Sequence, residues 1–117
     1  MRGSMLFALA IGTLVSIATP ARGEVDKKIE RTWKSKCASC HGTAGKGDTE
    51  MGKKFGIADY TKPEWQKGKT DADIKKAILD GVNREKNGKK QEMDPYKEKL
   101  DGPTVDALVA LIRGLKK

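Results

Sequence analysis

The segment Cys37-Ala38-Ser39-Cys40-His41 governs how the rest of the chain is interpreted, because it holds both cysteines and the single histidine of the 117-residue sequence. Two thiols at this spacing suit a disulfide, a redox-active thiol pair or a thioether attachment. A zinc site would need further Cys or His ligands, and the sequence has none. A disulfide is the ordinary state of two cysteines in an exported chain. A redox-active pair follows a strand, whereas this one ends a predicted helix and enters a glycine-rich segment.

Covalent attachment of a haem is the interpretation that accounts for both cysteines and the histidine of the motif. In a Cys-x-x-Cys-His run the two thiols add across the two vinyl groups of a haem, and the histidine then binds the iron. We therefore predict one covalently bound haem c, with Cys37 and Cys40 as the attachment points and His41 as the proximal iron ligand.

The N-terminal segment has the layout of a secretory signal peptide. Arg2 is followed by an uncharged apolar run from Met5 to Ala18, and small residues precede the charged Glu24. The apolar run is shorter than the roughly 20 residues of a spanning helix, so we expect no stable membrane insertion, with a retained N-terminal anchor as the alternative. We predict a signal peptide over residues 1–23, cleaved after Gly23 (or near Ala21), a periplasmic location and one domain over residues 24–117.

The chain carries an excess of basic residues, which are spread over all of its segments. With 24 Lys and Arg against 16 Asp and Glu, the formal net charge is +8, and it falls to +6 if Arg2 and Arg22 leave with the signal peptide. The basic residues are scattered and form no aromatic-interleaved patch or RNA-binding signature. We therefore expect acidic partners and no nucleic acid.

Three helices are predicted in the mature chain. The first runs from Asp26 to about Ser39 with a narrow apolar stripe. The second starts at the capping residues Thr70-Asp71-Ala72-Asp73 and ends before Gly81. Asp101 caps the third, which has Pro103 in its first turn. Its predicted buried face consists of Val105, Leu108, Val109, Ile112 and Leu115.

Residues 42–56 and 82–100 are predicted to be long loops, and no strand is expected. Ordered loops of this length need something to hold them, and a large bound group would do so. The predicted fold class is all-α, with helices and ordered loops wrapped around one covalent haem.

On these residues the chain resembles the class I c-type cytochromes, small single-haem electron carriers of the bacterial periplasm. The resemblance covers nearly all of the predicted mature chain and implies the small cytochrome c fold. It rests on motifs in the expected order: the haem segment Cys37–Gly42, the glycine loop Gly45-Lys46-Gly47, the haem-edge segment 58–65, the methionine loop Met93-Asp94-Pro95-Tyr96 and the final helix 108–113.

Two departures from the family pattern are visible. Asp94 stands between Met93 and Pro95, whereas the family usually has proline directly after its ligand methionine. The family also tends to place a proline after the glycine loop, whose carbonyl accepts the Nδ1 proton of the ligand histidine. No proline follows Gly47 at that place, so no hydrogen-bond partner of His41 is predicted.

The second iron ligand decides the function. The chain has no second histidine, so a thioether sulfur is the natural candidate. Met1 and Met5 fall in the predicted signal peptide, and Met51 lies only 10 residues after His41. Met93 has 52 residues of chain in which to reach around the cofactor, so we predict it as the ligand, with a gap-filling core methionine as the alternative.

Ligation by His41 and Met93 predicts a six-coordinate haem in a periplasmic single-electron carrier that is not an enzyme. The alternative is a haem protein with an open or labile sixth position that binds gas or has peroxidase activity. The predicted partners are redox proteins with acidic docking surfaces, and the protein is expected to be a monomer.

Several other side chains are candidates for the surroundings of the haem. Tyr60 and Trp65 could hydrogen-bond a propionate or simply pack. The predicted apolar jacket is Phe55, Ile57, Ile74, Ile78, Leu100 and Leu108. The basic residues that could ring the haem edge, each also interpretable as solvated surface, are Arg84, Lys86, Lys89 and Lys90.

Overall fold

The structure of the protein is a computed structural model that describes residues 11–14 and 22–117. The helices in these residues are α1 (Arg22–Lys36), α2 (Ala38–His41), α3 (Glu50–Phe55), α4 (Pro63–Gly68), α5 (Asp71–Asp80) and α6 (Gly102–Arg113). Between α5 and α6 lie strands β1 (Val82–Lys86) and β2 (Lys89–Met93). Most of the predicted signal segment lies outside the described residues. Within them, no helix has the length and apolar character needed to cross a membrane.

The hydrophobic core lies where α1, α5 and α6 meet. In α6 the apolar residues recur at the spacing of one helix face, so that face is buried. The prediction is confirmed at Val105, Leu108, Val109 and Ile112, whereas Leu115 is only half-buried. The other large buried side chains of this core are Ile29, Trp33, Ile74 and Ile78.

The starts of α5 and α6 are capped as the sequence predicts. The Thr70 hydroxyl accepts a hydrogen bond from the Asp73 amide at 3.1 Å, and the Asp73 carboxylate accepts one from the Thr70 amide at 3.0 Å. At α6 the Asp101 carboxylate accepts from the Thr104 amide at 2.8 Å. These bonds satisfy amides that have no partner inside a helix, so both helices begin at defined residues.

Two predictions in the first half of the chain are wrong. α1 ends at Lys36 rather than near Ser39, because the backbone leaves helical geometry at Cys37 (φ −121°) before the short α2 begins. Residues 42–56 are not loop throughout, since they contain α3. The Thr49 hydroxyl caps α3 by accepting from the Gly52 amide at 2.9 Å, a local signal that a glycine-rich segment conceals.

The prediction that residues 82–100 form a loop and that the chain has no strands is also wrong. β1 and β2 pair antiparallel from Val82 with Met93 to Lys86 with Lys89. The connecting Asn87 and Gly88 both have positive φ, 53° and 76°, as a two-residue hairpin turn requires. The hairpin is almost wholly exposed, so it shows no alternation of apolar and polar residues. The Asn87-Gly88 pair was the available sequence signal for this hairpin turn. With the hairpin included, the fold remains mostly helical.

Two leucines of α6 offer a test of where the core lies. Leu108 is 1% exposed, and Leu111, on the same helix, is half-buried. We expect Leu108→Ala to lower the free energy of unfolding by about 2–5 kcal/mol, because it leaves a cavity in the core. Leu111→Ala should cost clearly less. Denaturant unfolding of the intact protein measures both, and equal losses would contradict this assignment of the buried face.

Candidate haem site

The Cys37–His41 segment continues the hydrogen bonding of α1. The Cys37 amide donates to the Trp33 carbonyl at 2.9 Å, and the His41 amide donates to the Cys37 carbonyl at 2.9 Å. The Thr49 hydroxyl donates to the Cys40 carbonyl at 2.6 Å and ties the motif to the start of α3. Both cysteines are half-buried. The motif therefore occupies a fixed position relative to the core.

The glycine loop after the motif connects His41 to the segment around Tyr60. The Gly47 amide donates to the His41 carbonyl and the Tyr60 amide donates to the Gly45 carbonyl, each at 2.8 Å. Gly47 has a φ of +63°, and a Cβ there would lie 2.8 Å from the Ile57 carbonyl oxygen. Glycine at this position allows the two backbone segments to approach closely.

All residues of the motif except the buried Ala38 line a cavity of about 1070 Å³. Pockets for small molecules and cofactors usually measure about 300–1,000 Å³, so this cavity suits a group as large as a haem. The whole predicted apolar jacket lines it: Phe55, Ile57, Ile74, Ile78, Leu100 and Leu108. Two thiols and an imidazole are the donor groups that haem c needs, and the apolar side chains around them supply its environment.

Met93 lines the same cavity as Cys37, Cys40 and His41. It is the last residue of β2 and is half-buried. Met51 lies in α3, is 37% exposed and does not line the cavity. The structure therefore brings together the four predicted site residues and keeps the other methionine of the domain away from them.

Aromatic rings surround the His41 imidazole. Tyr60 stacks on it with ring centroids 5.1 Å apart, and Trp65 stacks on Tyr60 at 4.1 Å. Trp33 lies on another side at 5.9 Å, and its indole N–H donates to the Gly42 carbonyl at 3.1 Å. This stack restricts the rotation of the imidazole. The sequence marks Tyr60 and Trp65 as propionate candidates, whereas the packing of Tyr60 on His41 and of Trp65 on Tyr60 is visible only in the structure.

The protonation states of the motif suit an apolar cofactor site. Burial lowers the pKa of His41 to about 4, so its imidazole is neutral at pH 7, as a metal ligand must be. Burial also raises the pKa of the Cys37 thiol to about 11, against the opposing charge of Lys36. The Nδ1 atom of His41 is buried and has no hydrogen-bond partner among the described residues. This agrees with the absence of a proline after the glycine loop.

The four predicted basic residues fall into two groups. Arg84 and Lys86 line the cavity. Lys89 instead donates to the Lys53 carbonyl at 2.9 Å, and Lys90 pairs with Glu92 at 2.8 Å, both on the exposed surface. Only the first group lies beside the cofactor cavity.

Comparisons with known proteins agree with this site. A sequence model of the family described as Cytochrome c matches residues 27–116. The solved structure of the KustC0563 c-type cytochrome is 33% identical, covers 75% of this chain and 96% of that chain, and superposes with a TM-score of 0.64. A tyrosine-to-phenylalanine variant of Kustc0563 is 31% identical, covers 75% and 98%, and gives 0.61. Among curated proteins, no similar sequence was found.

The matched region includes the motif, the glycine loop, the hairpin and α6. The predicted cytochrome c fold and its cofactor are thereby confirmed, with the two-stranded hairpin as an addition to the helices. The chain belongs to the cytochrome c family, and its electron-carrying group is covalently bound, iron-containing haem c.

Proposed function

We propose that the protein is a periplasmic single-electron carrier in which Cys37 and Cys40 hold the haem and His41 and Met93 bind its iron. The observation that carries this proposal is the meeting of all four side chains at one cavity, although 52 residues separate Met93 from His41. Membership in the cytochrome c family supports the electron-carrier role. The periplasmic location rests on the signal-peptide pattern of residues 1–23.

The residues of the cavity suit reversible one-electron transfer. When bound, haem c supplies the ferric/ferrous couple, and a thioether ligand favours the ferrous state. The Trp33 and Tyr60 rings pack against the His41 imidazole and Trp65 packs against Tyr60, so the histidine side needs little rearrangement when the charge changes. The apolar side chains of the wall disfavour the additional charge of ferric iron.

The alternative function, gas binding or peroxidase activity at an open iron position, has less support. An open site needs no methionine at the cavity, whereas here Met93 lines it from the side of the hairpin. A carrier with both iron positions filled by protein ligands accounts for both His41 and Met93.

The partner we propose is a redox protein with an acidic docking surface. Arg84 and Lys86 lie on β1, line the cavity and are exposed. Positive charge beside the cofactor attracts an acidic partner to the place where electrons leave the protein, and salt screens that attraction.

The attachment can be tested on protein purified from the periplasm. Mass spectrometry should give the mature chain plus one haem that resists acid-acetone extraction. The double variant Cys37→Ala with Cys40→Ala should lose the covalent haem and most of its helicity, because the domain has too small a core to order its loops alone. Each single variant should keep one thioether bond. A Cys37–Cys40 disulfide in the wild type, or a cooperative native-like thermal transition in the double variant, would contradict the proposal.

The ligand assignment predicts different outcomes for the two methionines of the domain. Met93→Ala should remove the weak red absorption of methionine-ligated ferric haem, lower the reduction potential and let the ferrous protein bind carbon monoxide readily. Met51→Ala, on the exposed surface, is the control and should behave as wild type. If the wild type already binds carbon monoxide as fast as Met93→Ala, the open-site alternative replaces the carrier.

The docking surface can be tested with a small anionic oxidant such as ferricyanide. Its rate with the ferrous protein should fall as salt rises, because the Debye length shrinks to about 10 Å at 0.1 M. Lys86→Glu, beside the cavity, should slow the reaction at low salt more than Lys90→Glu, on the hairpin surface. Stopped-flow measurements give the rates. Equal effects of the two reversals would show that the overall charge acts rather than the cavity-side charge.

A further inference from the structure

The hairpin that carries Met93 contributes no side chain to the hydrophobic core. The core consists of α1, α5 and α6 residues together with Ala38, and Met93 is only packed against it. Apart from its end at Val82 and Met93 and the half-buried Gln91, the hairpin is exposed. Beyond the half-burial of Val82 and Met93 themselves, apolar burial therefore does not hold the methionine end of β2 at the cavity.

The chain after Met93 is held by α5. The Tyr96 amide donates to the Ile78 carbonyl at 2.9 Å and the Lys97 amide to the Leu79 carbonyl at 3.2 Å. Gly81 has a φ of +73°, and a Cβ there would lie 2.9 Å from the Pro95 nitrogen. Backbone contacts therefore fix this side of the methionine to the end of the helix.

The chain before Met93 is held to α3 by two side chains of β2: Lys89, which donates to the Lys53 carbonyl at 2.9 Å, and Gln91, which lies closer to Met93. Gln91 lies two residues before Met93 on β2, so the Gln91 and Met93 side chains are on the same face of the strand. Its amide nitrogen donates to the Phe55 carbonyl at 3.0 Å and to the Gly56 carbonyl at 3.1 Å. Its amide oxygen accepts from the Arg84 Nε at 2.9 Å.

The bonds of Gln91 join β2 to the end of α3 and satisfy carbonyl groups that have no partner within that helix. The Phe55 and Gly56 carbonyls lie at the end of α3, where carbonyls have no partner within the helix. One side chain satisfies both and joins β1, β2 and the wall of the cavity, of which Arg84, Gln91 and Phe55 are all part. Only a side chain that donates and accepts can make this set of bonds.

We propose that Gln91 is the positioning residue for the iron-binding methionine, holding β2 against the end of α3 so that the Met93 sulfur stays at the cavity. This inference rests on the proposed ligand role of Met93. Because the hairpin supplies none of the core, weakening these bonds loosens the methionine side of the iron without unfolding the helices.

The test uses the haem-loaded variant Gln91→Glu. A glutamate has the same shape and still accepts from Arg84, but its carboxylate cannot donate to the Phe55 and Gly56 carbonyls. We expect a weaker red absorption in the ferric protein. The rate of carbon monoxide binding to the ferrous protein should rise about tenfold, the order expected for two lost hydrogen bonds. In denaturant, the red absorption should disappear well before the helicity does. Gln91→Leu, which removes both functions without adding charge, should shift these measurements in the same direction.

Gln66 provides a matched control elsewhere in the fold. Its amide nitrogen also donates to two carbonyls, of Tyr60 at 2.7 Å and of Ile112 at 2.9 Å. Its amide oxygen likewise accepts from an arginine, Arg113, at 3.1 Å. Because Gln66 is buried, Gln66→Glu also places a carboxylate in the interior and should lower the unfolding midpoint at least as much as Gln91→Glu does. It should leave the carbon monoxide rate within about twofold of wild type, since the bonds it loses lie away from β2.

The possible outcomes distinguish this inference from the proposed function. If the wild type shows the red absorption and both Gln91 variants retain it with an unchanged carbon monoxide rate, Gln91 does not position the ligand, although Met93 still binds iron. If Gln66→Glu accelerates carbon monoxide binding as much as Gln91→Glu does, the effect is general destabilisation and the inference is overturned. A wild type that lacks the red absorption overturns the ligand role of Met93 and this inference together.

Discussion

The hydrogen bond from the Cys37 amide to the Trp33 carbonyl makes the haem-binding motif a continuation of α1. Trp33 is buried in the core, donates its indole N–H to the Gly42 carbonyl and lies against the His41 ring. One residue therefore links the core, the end of the motif and His41, the proposed proximal ligand. Since the position of His41 depends on how α1 packs, the packing of α1 on α6 determines where the iron can be held.

The core and the cofactor cavity share one set of side chains. Ile74, Ile78, Leu108 and Ile112 belong to the buried cluster and also line the cavity. A domain of this size buries a smaller share of its surface than a larger domain does, so a large apolar cofactor completes the core rather than occupying a separate pocket. Stability and the dielectric environment of the iron are therefore coupled, because a change in one apolar side chain alters both.

The two proposed iron ligands, His41 and Met93, are held in different ways. The histidine side consists of helical backbone and stacked aromatic rings, whereas the methionine side is an exposed hairpin held by polar contacts. Segments with little apolar burial open at a lower free-energy cost than the core does. If ligand exchange occurs in this protein, we expect it on the methionine side. Electron transfer itself requires only that both sides stay in place while the iron changes charge.

What the sequence by itself determined is the chemistry and the helices whose signals are local. The spacing of Cys37, Cys40 and His41 predicts covalent haem because three neighbouring residues suffice, and the caps at Thr70 and Asp101 act within one turn. The hairpin was missed because its strands are polar on both faces and only the Asn87-Gly88 turn marks it. The short α3 was missed because it lies within the glycine-rich segment 42–56.

Only the tertiary structure decided which distant residues meet. Chain length made Met93 the better ligand candidate, but its place at the cavity that His41 also lines depends on how β2 follows α5 and lies against α3. The stacking of Tyr60 on His41 and the bonds from Gln91 to Phe55 and Gly56 span 19 and more than 30 positions. No local pattern encodes such pairs, because each contact forms only after helices and hairpin have packed around the same cavity.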